Sequence, residues 1–123
     1  MNDPIEVRVK AAYVAEQSNP RNRQFVFSYT VTITNHGNRP AQLISRSWHI
    51  IDANDEIREV NGLGVVGQQP RLAPEASYTY TSGAVLETAT GTMSGSYTMR
   101  YDDGEEFETS IPTFALVQPQ ALH

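Results

Sequence analysis

From Ile5 to Tyr13 the chain places an apolar side chain at every second position, Ile5, Val7, Val9, Ala11 and Tyr13, with Glu6, Arg8 and Lys10 between them. Successive side chains of a β-strand point to opposite faces, so this period of two predicts a strand with one face covered. Ser18-Asn19-Pro20-Arg21-Asn22 has turn chemistry, and a second strand follows in which Phe25, Phe27, Tyr29, Val31 and Ile33 alternate with Ser28, Thr30 and Thr32. Asn35-His36-Gly37-Asn38-Arg39-Pro40 closes it, because Asn and Gly accept positive φ and proline has no N–H for a ladder. Ala41 to Asp52 reads as a third strand through Leu43, Ile44, Trp48, Ile50 and Ile51; its alternation breaks near its end, at a bulge or where both faces are covered. Trp48 stands where an apolar partner is expected between Ile44 and Ile50, which predicts its burial.

Asn54-Asp55 turns the chain into a short strand, Ile57 to Asn61, and the Gly- and Pro-rich stretch from Gly62 to Pro74 is too broken for a regular element. Later strands are expected at Ser77 to Thr81, Thr92 to Tyr101 and Glu106 to Ile111, the last two joined by a hairpin turn at Asp102-Asp103-Gly104. About seven short strands with no 3.6-residue stripe predict an all-β, antiparallel β-sandwich, immunoglobulin-like or fibronectin type III-like, with a small barrel as the alternative. The chain reads as a single domain over residues 1–123, with an ordered core of about 4–116 and a frayed tail at Gln118 to His123.

Composition narrows the function. The chain has 123 residues and no cysteine, which removes disulfides, thiolate metal sites and cysteine nucleophiles together. Met1-Asn2-Asp3-Pro4 lacks the basic and apolar regions of a signal peptide, and no apolar run approaches the roughly 20 residues that span a bilayer, so a soluble, cytoplasmic protein without membrane contact is expected. A net charge of -5 works against nucleic acid as a partner, since that affinity rests on cationic contacts to phosphates. With Lys10 the single lysine, anion recognition falls to arginines, hydroxyls or backbone amides; Arg46, Arg58, Arg71 and Arg100 are the candidates, expected chiefly on the solvated surface.

Specific motifs run through the chain in order: Ser45-Arg46-Ser47-Trp48-His49-Ile50-Ile51-Asp52, Gly62-Leu63-Gly64-Val65-Val66-Gly67-Gln68-Gln69-Pro70, Leu72-Ala73-Pro74, Tyr80-Thr81-Ser82-Gly83, Leu86-Glu87-Thr88, Gly91-Thr92-Met93, Gly95-Ser96-Tyr97 and Ile111-Pro112-Thr113-Phe114. This pattern closely resembles the ApaG family over nearly the whole chain. Departures are small: Leu63 fills a variable slot, and Ala84-Val85 and Ala89-Thr90 stand where members often carry a nearby proline. The resemblance implies a fibronectin-type sandwich that occurs alone in bacteria and as a module in a eukaryotic F-box protein and a DNA-polymerase-delta-interacting protein, a distribution that suggests recognition. The family name derives from a gene neighbourhood with a diadenosine tetraphosphate hydrolase, and a related name, CorD, ties it to cobalt and magnesium efflux; neither fixes a molecular activity.

Gly62-Leu63-Gly64-Val65-Val66-Gly67 matches the G-x-G-x-x-G pattern, in which missing side chains let backbone N–H groups approach a pyrophosphate. Pro70 and Pro74 follow too closely for the helix that a Rossmann site requires, so Glu87, at the spacing of the ribose-binding acid, counts as coincidence. Two readings stay open. In one, the amides of Gly62, Gly64, Val65, Val66 and Gly67, helped by Arg71, form a nest for pyrophosphate. In the other, the glycines allow a tight crossover between sheets, with Val65 and Val66 anchored in the core.

Metal sites and catalysis find less support. Asp52-Ala53-Asn54-Asp55-Glu56 begins like a calcium loop, but Ile57 and Leu63 stand where its glycine and last acid belong. Asp102, Asp103, Glu105 and Glu106 read as a solvated acidic turn, His36 as a turn residue, His49 as a hydrogen-bonded structural histidine and His123 as part of the tail. No catalytic motif, no metal ligand set and no cofactor signature is found. The expected function is therefore a non-enzymatic module that recognises a partner protein through sheet edges and loops, with pyrophosphate or nucleotide binding at the glycine loop as an added site. The alternatives are a small-ligand sensor of nucleotide polyphosphates linked to cobalt and magnesium homeostasis, and a phosphohydrolase.

Overall fold

Two antiparallel sheets form where the alternating positions require them, in a computed structural model that describes residues 4–119. The strands are β1 (Ile5–Tyr13), β2 (Phe25–Asn35), β3 (Ala41–Asp52), β4 (Ile57–Leu63), β5 (Arg71–Leu72), β6 (Ser77–Leu86), β7 (Thr90–Tyr101) and β8 (Glu106–Val117). One sheet runs β1-β2-β6 and the other β4-β3-β7-β8, with β5 beside β3. The sheets stay separate, which makes a sandwich and not the alternative barrel. Short 3-10 turns lie at Ala15–Gln17 and Pro20–Asn22, and no helix among the described residues is long and apolar enough to cross a membrane.

Strand β2 shows the physics most plainly: its burial alternates strictly along all 11 residues, with Phe25, Phe27, Tyr29, Val31, Ile33 and Asn35 inside. Between the sheets these meet Leu43, Trp48, Ile50, Met93, Tyr97, Met99 and Leu116 of the opposite layer. Burying each such large apolar side chain contributes about 1.5–3 kcal/mol, which is why a cysteine-free chain holds together. Trp48 is 2% exposed, as its position predicts, and its ring meets Tyr29, Tyr97 and Phe114 edge to face at 5.4, 6.4 and 5.9 Å.

Several boundaries differ from the sequence expectation. The described residues form eight strands instead of about seven, and the stretch from Gly62 to Pro74 holds regular structure at both ends: Gly62 and Leu63 finish β4, and Arg71–Leu72 form β5. Buried Asn35 holds β5 in place, donating through Nδ2 to Leu72 O (3.0 Å) and Arg39 O (2.8 Å) while its Oδ1 accepts from Gly37 N. Strand β6 continues past Thr81 to Leu86 because β2 offers partners that far, Phe25 facing Leu86. Strand β8 runs on through Pro112 because it is an edge strand and the ladder shifts register there, opposite Met93 and Gly95, so the missing N–H costs no ladder bond. The break in β3 falls near its start, between Leu43 and Ser45, and not near its end. At the C-terminus Gln118 still donates its N–H to Ala89 O (2.9 Å); residues 120–123 of the expected tail, with His123, lie outside the described residues.

Candidate functional site

On one side of the sandwich β1 packs against β8; on the other, the edge strands β4 and β6 face each other across an open cleft of about 400 Å³. Its floor is the core itself, Tyr29, Trp48 and Met93, and its walls include Arg46, Arg58, Val60, Ser82 and Val85. The register of β3 against β4 explains why two arginines arrive here. Trp48 pairs with Val60, Arg46 with Gly62 and Ile50 with Arg58. Trp48 points into the core, so with a side-chain period of two Arg46, Arg58 and Gly62 share its face.

Gly62 is what lets Arg46 lie there. A Cβ on Gly62 would sit 3.0 Å from both terminal nitrogens of Arg46, so the guanidinium occupies the space of the side chain that glycine lacks. Arg46 Nη1 donates to Leu63 O (3.1 Å) and Gly64 O (2.9 Å). Its Nε and Nη2 hydrogens have no acceptor, and no carboxylate lies within 4 Å, among the described residues. Arg58 donates to Val85 O (3.1 Å), tying the two sheet edges together, and likewise has no carboxylate partner. By contrast Arg8, Arg39, Arg71 and Arg100 are each paired with acids.

The glycine motif caps one end of the cleft. The bulge in β3 frees the Ile44 carbonyl, which accepts both Gly64 N (2.8 Å) and Gln69 Nε2 (2.9 Å). Val65 and Gln68 then exchange both of their backbone hydrogen bonds around a two-residue turn, with φ of 47° at Val66 and 77° at Gly67. Positive φ at both central positions defines a type I′ hairpin turn, which favours Asn or Gly. Valine there is an outlier, since a β-branched side chain clashes with its own backbone in the left-handed region.

This geometry redistributes the predicted site. Gly64, Val65, Val66 and Gly67 do form one turn, but the Gly64 and Val65 amides are spent on Ile44 O and Gln68 O. Among the described residues only the Val66 and Gly67 amides of that turn lack an acceptor. Gly62 serves Arg46 instead of a nest. Arg71 does not reach the turn: its guanidinium makes a two-pronged pair with Asp102, which holds that carboxyl below its usual range. Val65 is buried as expected, whereas Val66 is 62% exposed and does not anchor the core, because the I′ turn points it outward. His49 is exposed beside Glu59, 3.4 Å away, and is not a core histidine; it faces away from Trp48 on the outer side of β3. His36 bonds Glu6 at the surface. No cluster of three or more His, Asp or Glu that could hold a metal is found among the described residues.

Behind the cleft the Tyr80 and Tyr97 hydroxyls hydrogen-bond to each other across the two sheets. Burial pushes Tyr80 up to about 12 and Tyr97 higher still, so both stay neutral at ordinary pH. Arg46, which lines the same side of the sandwich as Tyr80, acts weakly in the opposite direction on each.

The family model for the ApaG domain matches residues 15–101. A Dechloromonas aromatica protein named Protein ApaG is 54% identical over 119 residues, covering 97% of this chain and 94% of its own length. Another Protein ApaG, from Ectopseudomonas mendocina, is 51% identical over an alignment of 126 residues that covers 100% of each. A crystal structure of a Bordetella pertussis protein designated ApaA superposes with a TM-score of 0.91 at 51% identity, covering 94% of both chains. Motifs spaced from Ser45 to Phe114, a matching domain and a matching sandwich agree, and the chain belongs to the ApaG family.

Proposed function

We propose that this ApaG domain is a cytoplasmic, non-enzymatic recognition module that binds a partner protein through the open β4–β6 side. One observation carries the reading. Among the described residues the exposed large apolar side chains are Ile57, Leu63, Val66 and Val85, and all of them border this one side. Scattered apolar residues need no explanation, but a set gathered along one side of the sandwich marks a contact surface. Val66 strengthens the point, because it holds a strained backbone without burying its side chain, a combination that folding alone does not reward. The test compares proteins retained by immobilised wild type and by a Leu63→Ser/Val85→Ser variant of equal melting temperature. Loss of specific retained proteins in the variant supports the reading; identical retained sets overturn it.

A second reading, a sensor of pyrophosphate or nucleotide polyphosphates, is favoured by the free Val66 and Gly67 amides standing over the same cleft as the unpaired Arg46. With each amide bond contributing only about 1 kcal/mol net, Arg46 would supply most of the affinity. Melting temperature is measured with pyrophosphate at about 10 mM against salt of matched ionic strength. A rise above the salt control that Arg46→Gln removes supports it, and no rise retires it.

A further inference from the structure

We infer that the free edge of β4 takes up an extended acidic segment of the partner as an added strand, with acidic side chains four residues apart and an apolar one midway between them. This rests on the recognition reading above and gives the partner its chemistry. Strand β4 is the outermost of its sheet, and among the described residues no strand pairs with its far edge. An exposed edge is a ready template for another chain, and proteins that avoid this place proline, a bulge or charged side chains there. The opposite edge strand, β8, carries Pro112 and a register shift, while β4 (Ile57-Arg58-Glu59-Val60-Asn61-Gly62-Leu63) has neither; its inward charges are cations, which turn away a cationic strand and admit an acidic one.

The charge pattern selects the occupant. Along the inner face of β4 the successive positions are Arg58, Val60 and Gly62, and the Gly62 position is filled by the Arg46 guanidinium. A strand lying beside β4 therefore meets a cation, an apolar residue and a cation, with the cation positions about 14 Å apart along the strand at roughly 3.4 Å per residue. Neither arginine has a carboxylate partner within the described residues, and Arg46 keeps Nε and Nη2 open for a forked bond to a carboxylate. Acid, any residue, apolar, any residue, acid is the complement. Beyond Arg58 the groove is lined by Asp52, Glu56 and Glu87, which ends the acid-accepting stretch.

A second copy of this chain fits poorly. Two β4 strands paired antiparallel about Val60 set Arg58 of each beside Gly62 of the other, and so against the Arg46 guanidinium, twice over. Like charges directly opposite are destabilising.

The probe is an acetylated and amidated peptide, Ser-Glu-Thr-Val-Thr-Glu-Ser, titrated into the intact protein by Trp48 fluorescence and by backbone amide NMR with hydrogen exchange. Saturable binding below about 1 mM is expected, with slowed exchange of edge-facing β4 amides. Replacing both peptide Glu by Lys should weaken binding at least tenfold, as should Arg58→Gln, which leaves the bonds of Arg46 to the turn intact. Arg46→Lys should weaken it severalfold, since a point charge replaces the fork. No binding at about 1 mM, equal binding of the Lys peptide, or binding with unprotected β4 amides overturns the proposal. So does self-association at high protein concentration that Arg58→Glu strengthens, which would make a second copy the occupant. If the peptide fails while Leu63→Ser/Val85→Ser still loses captured proteins, recognition by this side stands and strand addition falls.

Discussion

Replacing Val66 by Asn should make the protein more stable, although it removes an apolar side chain. Val66 sits at φ 47° in the first central position of a type I′ turn. The left-handed conformation costs an ordinary L-residue about 1–2 kcal/mol, and Asn, whose side chain bonds locally, is a preferred residue there. Against that gain stands lost burial. With 62% of Val66 already in water, only a minor part of the about 1.5–3 kcal/mol of a fully buried valine is forfeited, roughly 0.5–1 kcal/mol. The net is a stabilisation of about 0.5–1 kcal/mol. Unfolding entropy near about 2.1 cal/mol/K per residue over 123 residues converts this to a rise of about 2–4 °C in Tm. Calorimetry with matched urea melts reads it, and Val66→Ala, which keeps a Cβ in the same strained position, should show no such rise. An unchanged or lowered Tm for Val66→Asn refutes the claim that the turn is strained, and with it one support for Val66 as a contact residue.

Gly64 and Gly67 both have positive φ, but a Cβ on Gly64 would lie 2.4 Å from Gln68 O whereas one on Gly67 meets nothing within 4 Å. Urea melts should therefore show Gly67→Ala costing about 1 kcal/mol and Gly64→Ala at least twice that; equal costs would refute the turn geometry. Trp48→Ala should lower stability by about 3–5 kcal/mol, a large share of a domain's total of about 5–15, and an unchanged melt would take Trp48 out of the core. Raised tyrosine pKa values mean that the folded state keeps the Tyr80 and Tyr97 protons after the unfolded chain has lost them near pH 10. Their contribution is complete below pH 10 and then falls with rising pH, by about 1.4 kcal/mol per unit per tyrosine, through about 12 for Tyr80. A stability profile flat from pH 10 to 12, or six tyrosines titrating together near 10 in the folded protein, would refute it.

How much of this was legible in the sequence depended on whether neighbours along the chain carried the information. The bounds of β1 and β3 and the start of β2 could be read directly, because one covered face stamps a period of two on the side chains, and Trp48 fell at a buried phase. The glycine motif announced a turn and positive φ. It did not announce that the β3 bulge would consume the Gly64 amide through Ile44 O, that Asp102 would hold Arg71 away, or that Val66 would face water. Strand ends beyond Thr81 and Ile111 escaped because their partners on β2 and β7 lie tens of residues away and decide where pairing stops. One signal for the cleft was present: Arg46 lies two residues before Trp48, in phase with the buried face. Its meaning came only with register. The sequence by itself determined which residues alternate, where the chain turns and which family pattern it follows, since these are local properties of side chains and backbone. Only the tertiary structure set Gly62 opposite Arg46 and brought Arg58 into the same cleft, because register is fixed by pairing between strands, and an edge by which strands find no neighbour, neither of which the pattern within one strand records.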